Sequence, residues 1–252
     1  MAGAGSHAGS PGPLRAGLCA ALLWLTVEAA IRWTDVAIVR WWDAVSARAT
    51  PGTVLWVNVV LLIPTMLVLA WLFARRVRRE GLTRAALDYR PWRVGIWPAL
   101  GAVVVIFGMI EAFGPWEDAL FRDERRERAW EEARRAAGWL VGLVAVPANG
   151  LLVPVVEEFA WRGYIQTRIL LALGRPAGIL TTALLFAAKH VVVDLSLDRV
   201  FTLMGGALVL GGVGARWGTQ ASTVTHVVLN VVATAAETVL GPLLVQRSTD
   251  AP

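Results

Sequence analysis

The residues able to do chemistry sit in three short stretches of apolar sequence. Glu157, Glu158 and Arg162 follow an apolar run in Val153-Pro-Val-Val-Glu-Glu-Phe-Ala-Trp-Arg-Gly-Tyr164. Phe186-Ala-Ala-Lys-His190 and His226-Val-Val-Leu-Asn230 come later. Together they supply carboxylates, two imidazoles and an amide, the inventory of a hydrolytic site. Ionisable groups at membrane depth are costly, so they face a protein interior or a water-filled cavity and mark a working site by default.

Spacing assigns each group a task. On a helix Glu158 and Arg162 share a face, and the guanidinium keeps its neighbour ionised. A purely structural ion pair fits those two residues equally well. Glu157 lies about 100° round the helix from Glu158, free to point into a cavity. A carboxylate taken out of water holds a proton more readily, which suits a general base acting on water. Phe186 stands one turn from His190 and walls the same face. His226 and Asn230, four apart, bring two donors to one point, as an oxyanion requires. Each stretch alone has a plain alternative: a histidine in a span also serves as a hydrogen-bonded packing residue, and His226 with Asn230 also suits helix–helix bonding. The chain has three histidines, and the two outside the N-terminal tail both fall at these positions.

The elements that must carry these groups read as membrane helices. Of 252 residues, 56% are hydrophobic and only 17% charged, and the mean hydropathy is +0.57. A soluble domain has about 25% charged residues, so the expected fold is all-α, a polytopic membrane helix bundle. We count about seven spans (six to eight): 16–31, 53–74, 94–113, 137–156, 177–195, 200–215 and 219–240. The first is read as a membrane helix rather than a signal peptide, because no clean cleavage site follows. Residues 33–49, with Trp33, Trp41 and Trp42, read as an interfacial segment. Residues 116–135 hold seven acids and six arginines, interleaved as a solvated, extramembrane helix. The Gly-rich 200–215 suits close helix approach in lipid.

The domain organisation expected is a disordered tail 1–15, N-terminal membrane helices 16–136, a catalytic core 137–241 and a C-terminal tail 242–252. Net charge is +5, almost all from arginine, with Lys189 the only lysine. The arginines lie in blocks between spans, so topology explains them better than nucleic acid does. Arg75–Arg93, with seven arginines against Glu80 and Asp88, is expected to be cytoplasmic together with the N-terminus. Cys19 is the only cysteine, which excludes an internal disulfide and a cysteine metal cluster.

At these residues the chain resembles the CPBP family of intramembrane proteases, which includes the CAAX prenyl endopeptidases and the bacterial "Abi" proteins. The family pattern is E-E-x-x-x-R, F-x-x-x-H and H-x-x-x-N. It is met here by Glu157-Glu158-x-x-x-Arg162, Phe186-x-x-x-His190 and His226-x-x-x-Asn230. Arg162-Gly-Tyr164 and the Gly-rich span also resemble it, and the likeness covers about 137–240.

The resemblance implies a water-accessible intramembrane site in which Glu157 and His190 activate water. It implies that His226 and Asn230 hold the oxyanion, with Glu158, Arg162 and Phe186 in support. Lys189 is outside the motif. Members are often labelled metalloproteases, and Glu157, His190 and His226 are the three residues that could hold zinc. No H-E-x-x-H pair occurs, and the resemblance favours a glutamate-activated water with no cofactor. The expected partners are membrane lipid and a peptide or membrane-anchored protein substrate, with no nucleic acid, and the expected location is a bacterial inner membrane. The alternatives are a non-catalytic membrane scaffold or immunity protein retaining the fold, and a transporter. The lack of an internal repeat counts against the transporter.

Overall fold

The computed structural model describes residues 12–46, 50–90 and 96–241. The expected tails therefore lie mostly outside the described residues, as does Arg93. Eight helices are described, with no strand among them: α1 Pro13–Ser46, α2 Pro51–Arg79, α3 Trp97–Phe121, α4 Glu124–Ala137, α5 Trp139–Leu173, α6 Arg175–Asp194, α7 Val200–Trp217 and α8 Thr219–Leu240. All but α4 are long and apolar enough to cross a membrane. That makes seven such helices, at the places the apolar runs predicted.

Three boundaries differ from the sequence reading, each for a local reason. Residues 33–46 are not a separate interfacial segment but continue α1. No Gly or Pro falls between Gly17 and Pro51 to stop that helix. Arg75–Arg79 are the last residues of α2 rather than loop. That helix starts at Pro51, capped by Thr50, whose hydroxyl accepts from Thr53 N–H, and it ends before Gly81 at φ +62°. The charged run 116–135 is split. Residues up to Phe121 extend α3 through Pro115, and α4 begins after Asp123, whose carboxylate accepts from the N–H groups of Arg125 and Arg126.

Helix α5 carries the Glu pair and is the most irregular. It holds π-helical stretches over Val146–Leu152 and Phe159–Gln166, on either side of the α-helical Val153–Glu158. Pro147 and Pro154 cannot donate to the carbonyl four residues back, so the regular ladder is interrupted on approach to the carboxylates. Around α5 lies an aromatic core. Trp24 of α1 meets Phe73 of α2 at 5.5 Å and Trp161 of α5 at 6.3 Å, edge to face. Trp161 in turn meets Phe186 of α6 at 5.2 Å. These contacts fix α1, α2, α5 and α6 around one point.

The glycines of α7 set how near α5 can come. A Cβ on Gly211 would stand 2.9 Å from Gln166 Oε1, and one on Gly214 would stand 3.3 Å from Arg162 Cγ. The bare backbone lets Gln166 Nε2 donate to Gly211 O at 2.9 Å and Arg162 Nη2 to Ala207 O at 3.4 Å. At the arginine-rich end, Glu80 ties α2 to α5. It accepts from Tyr164 Oη at 2.5 Å and from Arg168 Nη2 at 2.9 Å. Arg76 is paired to the same carboxylate at 3.0 Å.

Candidate active site

The structure brings the Glu pair of α5 against His226 of α8. Glu158 is fully buried. Its Oε1 lies 2.9 Å from His226 Nδ1 and 3.1 Å from Arg162 Nη1, the latter an ion-pair contact outside hydrogen-bonding angles. The expected i,i+4 pair therefore forms inside a π-helical turn. The Arg162 guanidinium also lies 4.6 Å from the Phe186 ring centroid, so the motif phenylalanine supports the motif arginine as well as walling the histidines.

Glu157 is equally enclosed, 2% exposed. Its Oε2 faces His226 Nε2 at 3.9 Å. Its Oε1 accepts from Lys189 Nζ at 2.5 Å. It is thus an ion-paired group in a packed interior rather than one free in a cavity. The ring of His226 sits between the two carboxylates, one at each nitrogen.

His190 stacks on Phe186 at 5.0 Å, edge to face, and Phe186 lies 6.5 Å from His226. One phenyl ring thus stands between both motif histidines. His190 is the exposed edge of the cluster, with 22% of its side chain accessible. Its Nδ1 lies 3.6 Å from Asp194 Oδ2. That is beyond hydrogen-bond distance, but it lies on the same helical face.

Asn230 is one turn from His226 but is not turned to the same partner. Its Nδ2 donates to Asn149 O at 3.1 Å, and the Asn149 side chain donates to Thr234 Oγ1 at 2.9 Å. In this arrangement the two expected donors are engaged separately, one by Glu158 and one by the backbone of α5.

Residues that the motifs did not single out complete the surroundings. Lys189 is 1% exposed, and its ammonium also contacts Glu28 at 3.3 Å. Glu28 accepts from Trp24 Nε1 at 2.6 Å. An acidic residue in the first apolar run was the available signal for Glu28. For Asn149 there was none. Tyr89, in the loop after α2, packs near Gly163 of α5. Partial burial, with the Glu158 charge nearby, pushes its phenol up to about 12. Among the described residues no three His, Cys, Asp or Glu side chains are placed to hold a metal ion. The trio Glu157, His190 and His226 is therefore not gathered as a ligand set.

Comparison with known proteins adds one finding. The family described as "Type II CAAX prenyl endopeptidase Rce1-like" matches residues 138–232. That segment contains all three motifs, the whole of α5 and α6, and α8 as far as residue 232. No curated protein and no solved structure matches the chain. The match bears out the family recognised in the motifs and supports a membrane protease of CAAX type at that level. Residues 138–232 are thus similar to the Rce1-like type II CAAX prenyl endopeptidases, and they lie within an integral membrane protein with seven described helices long and apolar enough to cross a membrane.

Proposed function

We propose that the protein is an intramembrane endopeptidase that hydrolyses a peptide bond of a membrane-associated peptide or protein, using Glu157 as the base. The observation that carries this reading is the meeting of Glu157, Glu158 and His226 beside Phe186 and His190, inside a segment that matches the endopeptidase family. A water admitted past the partly accessible His190 is held by His190 and by Glu157 Oε2. Glu157 takes one proton, and the hydroxide adds to the scissile carbonyl carbon. The resulting oxyanion is held by His226 and by Asn230, which exchanges its bond to Asn149 O for one to substrate. The proton then passes to the departing amine as the C–N bond breaks. With Nδ1 of His226 engaged by Glu158, Nε2 is the ring nitrogen turned to the oxyanion. Arg162 Nη1 pairs with the same Glu158 oxygen at 3.1 Å and holds that carboxylate in place.

The arginine-rich end of the bundle is formed by the last turn of α2, Arg168, Arg175 and Arg216. By the positive-inside rule it faces the cytoplasm of a bacterial inner membrane, with the N-terminus on the same side. The charged α4 then lies on the opposite side.

The test is cleavage of a quenched peptide library with varied C-termini by chelator-treated protein in detergent. Cleavage by the wild type that is lost in Glu157→Ala supports the reading. Cleavage abolished by chelator and restored by zinc replaces the metal-free step. Equal cleavage by folded Glu157→Ala, His190→Ala and His226→Ala variants overturns the site. A non-catalytic scaffold draws on the closed, ion-paired state of Glu157. It gains support where no preparation cleaves and Glu157→Ala keeps its cellular role.

A further inference from the structure

The charges that the three motifs leave unused are Lys189 and Glu28. They meet Glu157 in one buried cluster that joins α1, α5 and α6. Lys189 Nζ donates to Glu157 Oε1 at 2.5 Å and reaches Glu28 Oε2 at 3.3 Å and Oε1 at 3.5 Å. Trp24 Nε1 fixes Glu28 Oε2 at 2.6 Å. The ammonium also stands 5.0 Å from the Phe186 ring and 6.0 Å from that of Trp24. Two of its donors go to carboxylate oxygens, and the side chain is buried.

We propose that Glu28 and Lys189 are positioning residues for Glu157, holding one of its oxygens and leaving the other to act on water; this rests on the protease reading above. Three observations support it. First, the oxygens of Glu157 are sorted: Oε1 is taken by Lys189, whereas Oε2 faces His226 at 3.9 Å. Second, the cluster holds two carboxylates and one ammonium, so its net charge is −1 when all are ionised. A lone Lys189–Glu157 pair would be neutral and would keep Glu157 as a mere counter-ion. Glu28 divides the ammonium, so negative charge remains on the oxygen that needs it. Third, buried ion clusters contribute little to stability compared with apolar residues of the same size, whereas charges at membrane depth mark function. Glu28 lies on α1, outside the matched segment 138–232. The N-terminal helix is thereby part of the site rather than only its scaffold.

The experiment measures kcat and KM of the full chain in detergent, on the library peptide that the wild type cleaves fastest. The variants are Glu157→Gln, Glu28→Gln, Glu28→Asp and Trp24→Phe. Glu28→Gln lowers kcat about tenfold, a fraction of what a general base supplies, with KM within about twofold. Glu28→Asp, which keeps the charge, recovers at least half of that loss. A Glu28→Gln kcat within about twofold of wild type, with Glu157→Gln inactive, overturns the positioning role and leaves the protease reading standing. Absence of wild-type cleavage, or an unimpaired Glu157→Gln, overturns both. Should Glu28→Gln fail to fold, Trp24→Phe removes the bond that orients Glu28 while keeping an aromatic ring between Phe73 and Trp161. It lowers kcat about threefold, and an unchanged kcat there overturns the proposal.

Discussion

Replacing Arg162 by Met tests the electrostatic frame of the site through stability alone. The Arg162 side chain is 1% exposed and faces a Glu158 with no exposure at all. Removing one partner of a buried pair costs about 3–5 kcal/mol, because the other charge is left uncompensated. Part of that cost is the loss of the guanidinium over Phe186 at 4.6 Å, worth about 2 kcal/mol when desolvated. His226 Nδ1 stays at 2.9 Å from Glu158, so the carboxylate is not wholly abandoned. The expected loss therefore falls in the lower half of the range, about 3–4 kcal/mol. Arg162→Lys keeps the charge but not the flat ring contact, and is expected to cost about 2 kcal/mol. Glu158→Gln combined with Arg162→Met removes both charges, and should be less destabilised than Arg162→Met alone. The assay is equilibrium unfolding of the micellar protein by added sodium dodecyl sulfate, followed by tryptophan fluorescence. A cost of less than about 1 kcal/mol for Arg162→Met, or a double variant as unstable as the sum of the singles, would rule out a buried, coupled pair.

Three further outcomes are expected. Gly52→Ala drives a Cβ to within 2.7 Å of the Ala136 backbone in α4 and should destabilise by about 1–3 kcal/mol, whereas Gly212→Ala, with open space around it, should be neutral or stabilising by up to about 1 kcal/mol; the same unfolding assay reads both. Leu195 ends α6 in the left-handed region at φ +51° and is exposed, so Leu195→Gly should raise stability by about 1 kcal/mol, and a loss would count against that backbone geometry. Tyr89, with its phenol pushed up to about 12 by burial and the Glu158 charge, binds its proton more tightly folded than unfolded, so its contribution is complete below pH of about 10 and is lost as pH rises towards 12. A Tyr89→Phe variant should lack that alkaline loss, and phenolate absorbance of the wild type rising fully near pH 10 would contradict it.

The seven apolar helices and the three motifs were legible because both are local. Spans follow from runs of apolar residues, and Glu158 with Arg162 follows from spacing along one helix. What was not legible depends on packing between helices. Lys189 lies next to a motif histidine, yet its partners are Glu157, 32 residues away, and Glu28, 161 residues away. No periodicity links them. The same holds for Asn230, which spacing sends to the point where His226 acts, but which α5 captures through Asn149 O. The charged run 116–135 misled because composition alone does not show where a helix breaks, and the break sits at the capping Asp123.

Glu157 is proposed as the base that activates water. That role is tested most directly by the single-turnover cleavage rate of Glu157→Gln, which keeps the size of the side chain and a carbonyl oxygen for Lys189 but removes the base. With the base removed, the rate is expected to fall at least about 10²-fold below wild type, with peptide affinity within about twofold. A Glu157→Gln protein, inserted and folded, that cleaves within about threefold of the wild-type rate would contradict it.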